Sequence, residues 1–112
     1  MWPEPPGSAA LNDEELVRSH AEIMRQEYLA VGFRLALQPP ADLATGPRRP
    51  RVLGTFGSDV EVAARMIGAY VRGLQGEALG TGSVSKTTKH LPGAGPQLSA
   101  GSTASSAPTG AW

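Results

Sequence analysis

From Asp13 to Ala30 apolar side chains return at nearly helical spacing, with Leu16, Val17, Ile23, Met24 and Tyr28 on one side and charged residues on the other. Asn12 followed by Glu15 three residues later has the form of an N-terminal cap, the acidic run 13–15 suits the positive end of a helix dipole, and Gly32 supplies a stop. The period then changes to two. Phe33, Leu35 and Leu37 alternate with Arg34 and Ala36 before Pro39-Pro40 closes the run, which predicts a short strand over Val31 to Leu37. A loop is expected from Pro39 to about Gly57. Ser58 with Glu61 is a second capping signature, and Ala63, Met66, Ile67, Tyr70, Val71 and Leu74 mark an apolar stripe that ends at Gly76. After a glycine-rich connection, Ser83 to Leu91 reads as a second strand, with Val84, Thr87, Thr88 and Leu91 in it and Lys89-His90 at its polar end.

The order helix, strand, helix, strand with short connections predicts an α/β fold with parallel strands. Ligands in such folds collect at the C-terminal ends of the strands, where Asp42, Arg51, Lys89 and His90 all fall. The ends of the chain are of a different character. Residues 1–10 form a proline-punctuated lead-in expected to be extended. Residues 98–112 have no charge and no periodicity, so a disordered tail is expected there.

Charge narrows the partners. Ten basic and ten acidic residues cancel, so no net field draws the 112-residue chain to nucleic acid or to an anionic membrane surface. The basic cluster Pro47-Arg48-Arg49-Pro50-Arg51 is therefore expected to act locally rather than as a nucleic-acid patch. With no cysteine there is neither a disulfide framework nor a thiolate metal site. His20 has no second ligand four residues on, and reads as a surface or boundary histidine rather than a metal ligand. The Gly93-Ala94-Gly95 string lacks the lysine and the following helix of a phosphate-cradling loop. No apolar run approaches the roughly 20 residues that cross a bilayer, and the first residues do not form a secretory signal, so the chain as written is expected to be soluble and cytoplasmic.

Several strings in fixed order add a resemblance: Glu27 to Leu37 (EYLAVGFRLAL), Ala41 to Thr45 (ADLAT), Pro47 to Arg51 (PRRPR), Gly54 to Asp59 (GTFGSD), Ala69 to Gly76 (AYVRGLQG) and Thr88 to Gly93 (TKHLPG). Together they resemble the N-terminal barrel domain of glycoside hydrolase family 3, the β-glucosidase and β-xylosidase family, over about residues 11–97. The resemblance implies a partial (β/α) barrel, a β-glycoside as the partner, no cofactor and no metal. It also assigns sugar-binding roles to Arg51, Lys89 and His90, whose cationic groups suit charge-assisted hydrogen bonds to hydroxyls. Asp42 and Asp59 match positions that would support the site rather than perform the chemistry.

The departures from the family carry expectations of their own. The family usually has glycine at the position of Pro50 or Ala94 and phenylalanine at that of Leu91, and after Gly95-Pro96-Gln97 it continues with an acidic segment that Ser99 to Trp112 does not match. A tail read out of frame is the expectation. Retaining hydrolysis needs two carboxyl groups about 5–5.5 Å apart, and in the family both come from outside the matched segment. The chain is therefore expected to be an inactive fragment of a β-glucosidase-type enzyme, with a non-enzymatic carbohydrate-binding or interaction remnant as the alternative. A complete barrel takes about 250 residues, so unpaired edges and uncovered apolar faces are expected to favour aggregation or a partly molten state.

Overall fold

The computed structural model describes residues 3–46, 51–91 and 93. It contains helix α1 (Pro5–Leu11), helix α2 (Glu14–Ala30), strand β1 (Leu35–Ala36), a 3-10 turn (Val52–Gly54), helix α3 (Val60–Gln75) and strand β2 (Ser85–Lys86). The two strands pair in parallel, with Leu35 opposite Ser85 and Ala36 opposite Lys86. The fold is α/β, as the alternation of periods predicts. The tail at 98–112 and Arg48 and Arg49 of the basic cluster lie outside the described residues.

The lead-in departs from expectation, because residues 5–11 are helical rather than extended. Proline is tolerated in a first helical turn, where its missing N–H would have no partner anyway. Asn12 closes this helix in a left-handed conformation, with φ of 52°, so it cannot begin the next one. Asp13 does so instead, its Oδ1 accepting from the Leu16 amide at 3.1 Å. The start of α3 shifts in the same way: Asp59, not Ser58, caps it, with Oδ1 accepting from the Val62 amide at 2.8 Å.

Helix α3 presents the expected stripe. Ala63, Met66, Ala69, Tyr70, Gly73 and Leu74 are buried, while Ile67 and Val71 are half-buried at its margin. On α2 the buried line runs through Val17 and Ala21 and continues with half-buried Met24 and Tyr28, leaving Leu16 and Ile23 exposed. The reason lies in how closely the helices approach. A Cβ built on Gly73 would stand 2.5 Å from both the Ala21 Cβ and the Arg18 carbonyl oxygen. Small residues form this contact, and the bulky side chains beside it are turned outward. At the exposed rim, Arg65 and Arg72 of α3 both reach Glu14 of α2, at 3.3 and 3.4 Å. Surface pairs of this kind add only a few tenths of a kcal/mol to about 1 kcal/mol.

The strands differ more from expectation. Regular pairing covers two residues in each, not Val31–Leu37 and Ser83–Leu91. The alternation of β1 also faces opposite to a simple reading, since Ala36 is buried against the helices while Phe33, Leu35 and Leu37 are all more than half exposed. Both long helices pack on the Ala36 side, together with Val84. The other side of the parallel pair is open among the described residues, whereas parallel sheets are ordinarily covered on both faces.

Met66→Ala should destabilise the chain by about 2–5 kcal/mol, and Gly73→Ala by about 1–3 kcal/mol through overpacking. Leu35→Ala should stay within about 0.5 kcal/mol, because its side chain already faces solvent. Urea midpoints at constant slope measure all three. A Leu35→Ala loss equal to that of Met66→Ala would contradict the assigned faces.

Candidate functional site

Beyond β1 and β2 the two chains continue side by side. The Thr87 amide donates to the Ala36 carbonyl at 2.9 Å, the Lys89 amide to the Pro39 carbonyl at 3.2 Å, and the Ala41 amide to the Lys89 carbonyl at 2.5 Å. Pro40 stands opposite Lys89, so the register has moved by one residue from the Ala36–Lys86 pair. An extra residue on one strand alters which side its successors face. This places Asp42 and His90, each just past the last bridged residues, beside one another at the C-terminal end of the pair.

A cavity of about 460 Å³ opens at this end. Arg51 and Lys89 both line it, with Glu4, Ser8, His20, Gln38 and Tyr70 as the other polar residues of its wall. Each reaches the wall for a local reason. Arg51 precedes the 3-10 turn, whose end is tied by the Thr55 hydroxyl donating to the Val52 carbonyl at 2.8 Å. Lys89 is held by the extended pairing. Gln38 follows β1 and donates to the Tyr28 hydroxyl at 3.1 Å, while the Tyr70 hydroxyl lies 3.0 Å from the Met24 sulfur. Burial pushes the Tyr70 phenol above its ordinary range, with Tyr28 adding to the effect, so this part of the wall stays neutral.

His90 is not in the cavity wall. Its Nδ1 lies 2.8 Å from Asp42 Oδ2, and its amide 3.4 Å from Asp42 Oδ1. The Asp42 side chain is fully buried, while that of His90 is half exposed. Two of the three sugar-binding candidates thus share one cavity, and the third stands next to Lys89 in the chain. Asp59 is elsewhere, at the start of α3, where its cap explains its presence. Sequence reasoning did not single out Glu4, Gln38 or Tyr70 for the site. Gln38 carries a usable signal, a polar residue directly after a predicted strand. Glu4 carries none, because its position depends on a helix that the prolines conceal.

The family model described as the glycosyl hydrolase family 3 N-terminal domain matches residues 1–109. The chain belongs to glycosyl hydrolase family 3. Among its relatives, β-glucosidase C of Emericella nidulans is 52% identical over 97 residues, which cover 86% of this chain and 16% of that protein. The periplasmic β-glucosidase/β-xylosidase of Dickeya chrysanthemi is 52% identical over 96 residues, covering 84% of this chain and 15% of that one. The crystal structure of a β-glucosidase from Listeria innocua in complex with glucose superposes with a TM-score of 0.75 at 30% identity, covering 80% of this chain and 13% of that chain. The family 3 chain described here therefore spans about one sixth of the length of these curated relatives.

One wall residue makes stability depend on pH. Burial lowers the pKa of His20, and Glu27 opposes the shift without reversing it. A lowered value means that the folded state disfavours the protonated ring. Stability is therefore retained above the ordinary histidine pKa of about 6.5 and declines as pH falls through the folded-state value. The melting temperature should fall more between about pH 7 and pH 5 for the unmodified chain than for His20→Asn. Parallel curves for the two proteins would show that His20 does not contribute.

Proposed function

We propose that Arg51, Lys89 and His90 bind hydroxyls of a terminal β-linked sugar such as a glucoside, and that the chain is part of the (β/α) barrel of a family 3 glycoside hydrolase. The observation that supports this best is the shared cavity of Arg51 and Lys89 at the C-terminal end of a parallel pair, the end at which barrel enzymes hold their substrates. The names of the relatives, β-glucosidases and a β-glucosidase/β-xylosidase, agree with that substrate class. Sugar hydroxyls accept from guanidinium and ammonium groups, and hydrogen bonds to charged groups contribute about 1.5–3 kcal/mol each.

The complete protein would cleave the glycosidic bond through a glycosyl-enzyme intermediate, using one carboxylate as nucleophile and a second as acid and base. Among the described residues, Glu4 is the only carboxylate in the cavity wall. One carboxylate does not perform a reaction that needs two at close spacing, so this chain should bind without turnover.

Saturation-transfer NMR with glucose and methyl β-glucoside tests binding. Arg51→Met and Lys89→Met should each weaken it about tenfold or more. Equal affinity in the unmodified chain and both variants would remove the sugar reading. A chromogenic aryl β-glucoside should remain uncleaved. Cleavage that disappears in an identically prepared Arg51→Met sample would overturn the expected inactivity.

A further inference from the structure

The geometry points to Asp42 as a positioning residue that fixes His90 in its Nδ1–H tautomer and turns Nε2 outward as a hydrogen-bond acceptor. Asp42 lies directly after Ala41, whose amide is bonded to the Lys89 carbonyl, and His90 lies directly after Lys89, so the backbone pairing sets the distance between the two side chains. The carboxyl group is fully buried, and its two oxygens meet two groups of the same residue: Oδ2 meets the ring Nδ1 at 2.8 Å, and Oδ1 meets the amide at 3.4 Å. A buried carboxylate requires donors. A backbone amide can only donate, and a ring nitrogen 2.8 Å from a carboxylate oxygen carries the proton between them, because two lone pairs at that distance would repel. Nε2 of the neutral ring then keeps its lone pair, on a side chain that is half exposed.

The consequence for recognition rests on the sugar-binding reading proposed above. Arg51 and Lys89 can only donate hydrogen bonds. A hydroxyl both donates and accepts, so two such cations leave its proton without a partner. Nε2 of His90, next to Lys89 in the chain although not itself in the cavity wall, would supply that partner. In its neutral Nδ1–H form the ring would then accept from the ligand beside two cationic donors, and replacement of the hydroxyl it faces by a methoxy group would remove the hydrogen bond.

The tautomer can be read from the 112-residue chain without any ligand, by long-range ¹H–¹⁵N NMR of the ¹⁵N-histidine-labelled protein at a pH where the rings are neutral, with His20→Asn assigning the two signals. The proton should be on Nδ1 of His90, and in Asp42→Ala it should move to Nε2, the form preferred by a ring without such a partner. A proton on Nε2 in the unmodified chain overturns the assignment. A proton that stays on Nδ1 in an Asp42→Ala protein of unchanged helix content overturns it too. Should Asp42→Ala not fold, the unmodified chain still decides. Glucose titration separates the two readings: an Nδ1–H ring in a chain that binds no sugar upholds the role of Asp42 and removes only the sugar reading, whereas an Nε2–H ring removes the role of Asp42 even where glucose binds.

Discussion

Helix α3 approaches α2 as closely as it does because Gly73 has no side chain, and the rest of the described structure follows from that contact. Any Cβ at this position would meet the Ala21 side chain and the Arg18 carbonyl oxygen at 2.5 Å. With the two helices this close, Val17 and Ala21 can share one apolar layer with Met66, Tyr70 and Leu74. The same layer takes up Ala36 and Val84, one residue from each strand region, and so sets which side of the parallel pair is inside. The C-terminal end of α3 also positions the approach to β2 directly, through the Val84 amide donating to the Leu74 carbonyl at 3.0 Å and the Ser83 hydroxyl donating to the Gln75 carbonyl at 2.6 Å.

The candidate site begins where that regular framework ends. Past Ala36 and Lys86 the paired chains slip by one residue, and the following residues face differently from those inside the sheet. Lys89 reaches the cavity, while Asp42 turns into the protein and meets His90. The two kinds of residue have different physical demands. A lysine or arginine on a cavity wall keeps its charge solvated while it awaits a ligand, whereas a buried carboxyl group has to be satisfied by the protein itself. Helix α1 adds Pro5 and Ser8 to the cavity wall, and its N-cap residue adds Glu4.

Among the described residues the parallel pair is covered by helices on one side only. Phe33, Leu35 and Leu37 form an alternating apolar row that, among the described residues, faces solvent. Parallel strands bury both faces in complete α/β domains, and this chain spans about one sixth of its curated relatives. The apolar alternation along β1 has the pattern of a strand buried on both faces, while the described helices cover the Ala36 side.

Periodicity was enough to find α2 and α3, because a helix needs only local hydrogen bonds and an apolar stripe, and it was enough to assign an α/β fold with parallel strands. Family strings, and no packing pattern, singled out Arg51, Lys89 and His90 as the proposed sugar contacts, and the structure brings Arg51 and Lys89 into one cavity wall. Other features were decided in three dimensions. Asn12 and Ser58 look like helix caps, but Asn12 closes the preceding helix and the neighbouring aspartates provide the caps. Leu16 and Ile23 fit the apolar stripe, yet the narrow gap at Gly73 admits Ala21 and turns them out. The direction of β1 and the pairing of Asp42 with His90 depend on which face the helices occupy and on a one-residue change of register. The first relates β1 to the helices packed against it and the second relates residues 48 apart in the chain, and a local pattern of apolar and polar positions contains neither.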